Sequence, residues 1–125
     1  MIIYLKNYKP VSLNKLLRCH WSTYTKYKQE CERTFNEWWL TSEYRLKKNL
    51  CIQFPIKKCN IKLTYCFIDK RKRDYDNYSG KIILDVLKQY VIADDNSEVI
   101  RSLTHQFING HNENCVLIEV ISLEG

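Results

Sequence analysis

The fold is decided by residues 60–90, which read NIKLTYCFIDKRKRDYDNYSGKIILDVLKQY. From Asn60 to Ile68, every second residue is apolar, and this alternation predicts a half-buried strand. From Tyr78 to Tyr90, apolar residues recur at three- and four-residue steps, which predicts an amphipathic helix. The charged residues 69–77 lie between these patterns, so we expect a strand-to-helix turn that is rich in charge.

Weaker patterns on both sides complete the order of elements. Residues 1–6 predict a short strand and residues 7–20 a loop, and a helical pattern runs from Ser22, a candidate N-cap, to about Lys48. A break is expected near Thr41-Ser42. Residues 99–108 and 115–121 predict the two strands of a hairpin. The order strand, helix, strand, helix, strand, strand predicts an α/β (α+β) two-layer fold, with a small mixed β-sheet and helices packed mainly on one face.

Length and composition limit the class of protein. A chain of 125 residues suits one core, so residues 1–125 are expected to form a single domain. An apolar fraction of 45% with only three Gly and two Pro residues is typical of a folded globule. No apolar run approaches the ~20 residues that span a bilayer, and the first residues lack the features of a signal peptide. We therefore expect a cytoplasmic protein with no membrane partner.

The cysteine and histidine residues show no spacing typical of a metal site or a disulfide framework. There is no C-x-x-C pair and no matching pair of histidines, and His20, His105 and His111 lack the spacing of a ligand set. Reduced structural thiols are therefore expected at all six cysteines, Cys19, Cys31, Cys51, Cys59, Cys66 and Cys115.

Basic and acidic residues are unevenly divided along the chain. Residues 1–73 hold 17 of the 20 Lys and Arg residues and five of the 14 acidic residues, a net charge of about +12. Residues 74–125 hold three basic and nine acidic residues, a net charge of about −6. A strongly basic half favours a polyanionic partner such as nucleic acid, although Lys-rich surfaces also serve solubility alone.

Two pairs of acidic side chains follow the basic run at residues 70–73. Asp74 and Asp76 are two residues apart, so in an extended segment both side chains point to the same face. Asp94 and Asp95 come after the predicted helix, whose length allows the chain to return alongside the sheet and bring a third carboxylate to the first two. Because adjacent residues of an extended stretch face opposite ways, only one of this second pair is expected at the site.

Carboxylates that converge in this way need a cation. Two of them about 4 Å apart repel by about 4 kcal/mol at an effective dielectric constant near 20, so either one is protonated or a metal neutralises both. Oxygen ligands favour Mg²⁺ or Mn²⁺, and metal carboxylates beside cationic side chains are the groups that phosphodiester hydrolysis requires. The structural alternative is that Asp76 or Asn77 caps the helix that follows.

The same residues resemble a known family. In chain order they are Arg73-Asp74-Tyr75-Asp76-Asn77, Lys81, Leu84-Asp85-Val86-Leu87 and Asp94-Asp95, after an early Ser12-Leu13-Asn14-Lys15-Leu16-Leu17-Arg18. Together they resemble the signature of the RusA-type Holliday-junction resolvases, a family of crossover junction endodeoxyribonucleases. The interval of 18 residues from Asp76 to Asp94 also has the length found in that family.

The resemblance implies a Mg²⁺-dependent endonuclease that acts on branched DNA, with Mn²⁺ expected to support activity as well. By this resemblance, Asp74, Asp76 and Asp95 are the metal-binding catalytic acids, and Lys81 is a catalytic lysine that stabilises developing charge on the phosphate. It further implies a homodimer that resolves four-way junctions by paired symmetric nicks, in DNA recombination and repair. The expected setting is a bacterial or phage-infected cell.

The lysine departs from the family pattern by one position. Gly80 stands where the family has its lysine, and Lys81 follows it. One residue turns a side chain by about 100° on a helix. An ion pair with Asp85, four residues further on, is the structural alternative for Lys81.

Basic side chains around the aspartates are the candidates for binding DNA phosphate. Their structural alternative is an ordinary solvated charge. A second hypothesis for the whole chain is therefore a non-catalytic basic nucleic-acid-binding protein whose acidic residues are structural. The candidates are Lys15, Arg18, Arg71, Lys72 and Arg73.

Overall fold

A mixed four-stranded sheet forms one layer of the protein, with strand order β1-β4-β2-β3. The structure is a computed structural model, and it describes residues 1–45 and 53–124. The strands are β1 (Ile2–Leu5), β2 (Cys59–Phe67), β3 (Ile100–Asn109) and β4 (Cys115–Ser122). The helices are α1 (Leu13–Arg18), α2 (Trp21–Thr41) and α3 (Lys81–Tyr90), with 3₁₀ turns at Glu43–Arg45 and Tyr75–Asn77.

Strand β2 occupies the interior of the sheet, and most of its residues are buried. Its alternating residues Ile61, Leu63, Tyr65 and Phe67 are at most 1% exposed, as the sequence predicts. They share one core with Phe35 of α2 and with the apolar side chains of α3. The predicted two-layer α+β architecture is therefore confirmed.

The predicted hairpin of β3 and β4 is wrong. Strand β2 lies between them, antiparallel to β4 and parallel to β3. Residues 110–114 cross the end of β2 instead of closing a two-stranded turn: the His111 amide donates to the Phe67 carbonyl over 2.8 Å. The reason is burial, because β2 is buried along most of its length whereas β3 is mainly exposed and suits an edge.

The predicted loop at residues 7–20 contains the short helix α1. The side chain of Ser12 accepts a hydrogen bond from the Lys15 amide and so caps this helix. The predicted N-cap of α2 is also corrected, because His20 caps the helix with its ring nitrogen and Ser22 donates to it. The break expected near Thr41-Ser42 is present, and the predicted helical extension beyond residue 45 lies outside the described residues.

Helix α3 begins at Lys81, three residues later than predicted, because Gly80 interrupts the helical backbone. Gly80 has φ +71°, a conformation that strains residues with a Cβ atom. A Cβ atom at this position would lie 2.5 Å from Cδ1 of Leu63. Gly80 therefore lets the chain pass close over β2 before the helix starts.

The remaining expectations of the fold concern thiols and the membrane. The five cysteines within the described residues form no disulfide, and Cys51 lies outside those residues. In the described part of the chain, no helix is both long and apolar enough to cross a bilayer.

Candidate functional site

The segment that links β2 to α3, residues 68–80, is held by an ion pair at its start. The guanidinium of Arg73 binds both carboxylate oxygens of Asp69, with N–O distances of 2.9 and 2.8 Å. It also lies 3.5 Å from the centroid of the Phe67 ring. Asp69 accepts a further hydrogen bond from the Arg71 amide. The pKa of the Asp69 carboxyl lies well below its usual range. The main cause is the hydrogen bonding from Arg73, and the bond from the Arg71 amide adds to it.

These contacts give Arg73 a role in the turn, and its predicted binding of DNA phosphate stays a prediction. Its side chain is only 3% exposed, and its two terminal nitrogens are already bonded to Asp69. Withdrawing it would break a two-pronged ion pair and uncover Phe67. Arg73 therefore belongs to the fold of the turn.

Aromatic side chains in the middle of this segment pack against residues of the sheet. Tyr75 packs edge-on against Phe107 of β3 with ring centroids 4.8 Å apart, and Tyr78 packs against Tyr65 at 5.6 Å. Aromatic contacts therefore hold both sides of the exposed Asp76, through the buried Tyr78 and the exposed Tyr75. The pair Asp74 and Asp76 thus sits on a turn that packs against β2 and β3.

The backbone at the pair differs from the extended segment that the sequence suggested. Asp74 is extended, but a 3₁₀ turn starts at Tyr75 and includes Asp76. Both carboxylates are exposed, and neither belongs to an ion pair among the described residues. Asp76 and Asn77 also do not cap α3, since its N-cap is Gly80. Asn77 instead accepts a hydrogen bond from the Asn14 amide of α1 over 2.9 Å.

The second aspartate pair separates into two roles. Asp94 accepts from the Asp95 amide over 2.7 Å and from the Asn96 side chain over 3.2 Å. These bonds, the first above all, lower the pKa of the Asp94 carboxyl. Asp95 has only a long contact to Lys88, with 3.9 Å between Oδ1 and Nζ. Asp95 is therefore the more available of the two carboxylates.

The structure of one chain does not bring Asp95 to the other two acids. The loop of Asp94 and Asp95 lies beside the start of β2: the Ala93 amide donates to the Ile56 carbonyl, and the Cys59 amide donates to the Val99 carbonyl. Asp74 and Asp76 lie at the other end, where Tyr75 contacts Phe107, the β3 partner of Tyr65.

The separation follows from the length of β2. Cys59 and Tyr65 are six residues apart, which corresponds to about 20 Å of strand. Helix α3, about 15 Å long, carries the chain from beside Leu63 back to Ile56, away from the first aspartate pair. Among the described residues, the acidic groups accordingly form no three-residue cluster with donor atoms within 4.8 Å of one another.

Lys81 stands at the exposed first position of α3. Its Nζ lies 6.0 Å from the centroid of the Tyr24 ring. The predicted alternative, an ion pair with Asp85, is not found in the described residues, because Asp85 accepts from the Tyr24 hydroxyl over 2.7 Å. Burial, reinforced by this bond, raises the pKa of Tyr24 to about 12. Tyr24 thus occupies Asp85 and leaves the ammonium group of Lys81 at the surface.

A basic cavity of about 390 Å³ connects the early part of the chain to the aspartate turn. Lys15 of α1 lines it together with Arg71, Lys72, Arg73 and Asp74, so four of the predicted phosphate-binding residues share one space with one predicted acid. Arg18 lines a neighbouring space of about 260 Å³, which Lys15 also borders. Lys9 lines the basic cavity too. The Lys9-Pro10 pair predicts a loop, but this pattern does not show what the loop faces.

The cavity exists because α1 is attached to the aspartate turn. The Asn14–Asn77 hydrogen bond holds the first turn of α1 beside Asp74 and Asp76. Cationic side chains from two distant parts of the chain thereby converge on an exposed carboxylate. Fold and site together define a small basic α+β protein that presents acidic residues beside a surface suited to a phosphate backbone.

A comparison with protein families shows which family the chain belongs to. A family described as Endodeoxyribonuclease RusA matches residues 11–121, and the chain belongs to this family. It is a family of Holliday-junction-resolving endonucleases that are generally metal-dependent, so nuclease action on DNA junctions follows from membership. A search of curated proteins found no match.

Proposed function

We propose that the protein is a Mg²⁺-dependent endonuclease, also active with Mn²⁺, that resolves four-way DNA junctions by paired symmetric nicks in the cytoplasm during recombination and repair. The observation that carries the proposal is the basic cavity, in which Lys15, Arg71 and Lys72 share one space with Asp74. Phosphate recognition and acidic ligands are thus adjacent, as hydrolysis of a phosphodiester requires.

The donor set suits a hard divalent cation. Asp74, Asp76 and Asp95 offer only carboxylate oxygens, and the first two have no ion-pair partner among the described residues. These three acids would hold the ion, which supplies Lewis-acid polarisation of the scissile phosphate. Lys81, at the start of α3, would offer its ammonium group to charge that develops on the phosphate.

The cationic side chains position the DNA. Lys15 and Arg18 on α1 and Arg71 and Lys72 on the turn form a continuous basic surface around Asp74. Such contacts to phosphate fix the register of the duplex without reading its bases. Selection by DNA shape, as at a junction, is consistent with a surface of this kind.

The third carboxylate comes, in this proposal, from a second copy of the chain. Asp95 lies at the far end of β2 from Asp74 and Asp76, so a homodimer in which each copy lends its Asp95 to the other forms two complete sites. Two-fold symmetry makes the two sites equivalent. Equivalent sites suit paired nicks on opposed strands.

Cleavage of a labelled four-way junction in Mg²⁺ tests the proposal. Asp76→Asn and Asp95→Asn are expected to lower the cutting rate by at least about 100-fold, as loss of a catalytic group commonly does. The control is Glu98→Gln, an exposed acid in the same loop as Asp95, which should cut like the unaltered protein. If both Asp variants cut at the unaltered rate, the metal assignment is wrong. Binding of the junction without any metal-dependent cutting by the unaltered protein would favour the non-catalytic alternative.

Mixing the two inactive variants tests the shared site. A heterodimer of one Asp76→Asn chain and one Asp95→Asn chain has one site with all three acids and one site that lacks both Asp76 and Asp95. Random exchange should therefore restore about a quarter of the sites, and these give single nicks without paired cuts. If all three acids belong to one chain, no mixture regains activity.

A further inference from the structure

A cluster of soft ligands lies where residues 110–114 cross the end of β2. One donor atom from each of Cys66, His111 and Cys115 lies within 4.8 Å of the other two. Cys66 and Cys115 face each other directly in the antiparallel register of β2 and β4, and they are 1% and 2% exposed. His111 is half-buried at the edge of the pair. The cluster is separate from the proposed carboxylate site and has no role in the proposed cutting reaction.

One tautomer of the His111 imidazole makes the hydrogen bond that is typical of a metal ligand. The main-chain amide of His111 donates to the Phe67 carbonyl over 2.8 Å, and its Nδ1 lies 3.1 Å from the Glu113 carbonyl and 3.4 Å from the Glu113 amide, which donates to Nδ1 in the other tautomer. An Nδ1–H group that donates to this carbonyl leaves a lone pair on Nε2. Histidines that bind metal through one nitrogen usually donate the other N–H in this way.

We propose that Cys66, His111 and Cys115 bind one Zn²⁺ ion, with the fourth position open to water or to the Glu113 carboxylate. Two thiolates and an imidazole form a ligand set that binds Zn²⁺ in preference to hard cations such as Mg²⁺. Tetrahedral Zn²⁺ with bonds of about 2.0–2.3 Å sets its donor atoms about 3.3–3.8 Å apart. Small side-chain movements therefore suffice to close the cluster on a single ion.

The ion would act on the base of the aspartate turn. The Gly110 amide donates to the Asp69 carbonyl, and the Ile68 amide donates to the side chain of Asn114, so the crossing segment is bonded to the first residues of that turn. An ion that joins β2 to residues 111 and 115 would stabilise this contact between the crossing segment and the turn. Zn²⁺ is thus a structural ion here and differs from the catalytic cation in chemistry and in place.

Cobalt is a suitable probe, because it takes the same tetrahedral sites and absorbs light. The reduced full-length protein, freed of metal with a chelator, is titrated with Co²⁺ under a reductant that contains no thiol. One equivalent should produce a sulfur-to-cobalt charge-transfer band and the visible bands of tetrahedral Co²⁺, and one equivalent of Zn²⁺ should abolish them. Zn²⁺ should also raise the thermal midpoint by several degrees, since an ion that binds only the folded state stabilises it.

Variants assign the ligands. Cys115→Ser and Cys66→Ser should each weaken the charge-transfer band, and His111→Gln, at a half-buried position, should shift the visible bands and lower the affinity at least about 10-fold. Cys19→Ser, a thiol on a different part of the chain, is the matched control and should keep the complete spectrum. If a cysteine variant does not fold, His111→Gln still tests the site.

Two results would overturn the proposal: reduced protein that binds no Co²⁺ or Zn²⁺ tightly, and a spectrum that is the same in His111→Gln as in the unaltered protein. A Cys66–Cys115 disulfide in the protein as purified, with no metal uptake after reduction, counts as the first of these. The Asp76→Asn variant separates this test from that of the proposed function, because it should lose cutting and retain the cobalt spectrum.

Discussion

At the scale of single residues, the guanidinium of Arg73 joins three parts of the turn. It bonds both oxygens of Asp69, donates to the Arg71 carbonyl over 3.1 Å and covers the ring of Phe67. A lysine could not do this, because its ammonium group lacks the planar fork of donors. The geometry of the aspartate turn therefore depends on a side chain that lines the basic cavity and is at the same time bonded to Asp69.

The Asp69–Arg73 ion pair makes the stability of the protein depend on acid pH. The folded state holds the pKa of Asp69 below its unfolded value, so the pair stabilises the fold above the unfolded pKa of about 3.9 and loses this effect as pH falls further. Asp69→Asn should thus lower the urea midpoint at neutral pH, and its deficit should shrink below about pH 4.

Urea denaturation of both proteins across acid and neutral pH measures the effect. Glu98→Gln, which replaces an exposed acid in another loop, serves as the control and should show a much smaller deficit. A deficit for Asp69→Asn that remains constant far below pH 4 would mean that charge on Asp69 is not what stabilises the turn.

At the scale of elements, α1 is important despite its six residues. Its first turn is bonded to Asn77, and this contact brings Lys15 to the basic cavity. Phosphate contacts release counterions from DNA, so each contact adds about one to the slope of log K against log salt. Lys15→Ala should therefore weaken junction binding and reduce that slope by about one.

Binding measured at several salt concentrations without divalent metal tests this role of α1. Lys62→Ala is the matched control, because Lys62 lies on β2 near Glu119, 4.0 Å away, and does not line the basic cavity. Its slope should stay close to that of the unaltered protein. An unchanged slope for Lys15→Ala would remove α1 from the DNA interface.

Elements also show what could be predicted from sequence. The alternation from Asn60 to Ile68 predicts β2 well, since a period of two residues is a local property. Helix α1 was missed because six residues carry no helical period, and because the sequence does not show the contact of Asn14 with Asn77 that holds it. The pairing of β3 with β2 depends on burial across the whole sheet, which no local pattern of β3 and β4 records.

In the candidate site, too, some features could be predicted from the sequence and others could not. The positions of Asp74, Asp76 and Asp95 along the chain were readable, because residue type and spacing are written in the sequence, and their role as ligands stays a prediction. The return of α3 alongside the sheet was also predicted, and the helix does run from beside Leu63 to Ile56. The sequence did not show that the three acids form no cluster among the described residues of one chain. The ion pair between Arg73 and Asp69 could not be predicted either, because the run of basic residues 70–73 does not show which of its side chains is buried.

At the scale of the whole molecule, the separation of the acids makes the dimer a requirement of the proposed reaction. One chain holds Asp74 and Asp76 at one end of β2 and Asp95 at the other, and a stiff strand of about 20 Å lies between the two ends. A monomer should therefore bind DNA through its basic cavity and fail to cut it.

Dilution tests this requirement. Below the dissociation constant of the dimer, the cutting rate per chain should fall in proportion to concentration, because the fraction of paired chains falls in that way. Two copies joined in one polypeptide by a long flexible linker are the control, since their pairing is intramolecular and their rate per site should not change on dilution. Sedimentation under the same conditions gives the fraction of dimer. A constant rate per chain in a solution shown to be monomeric would place all three acids within one copy, and it would require α3 to move in the presence of DNA and metal.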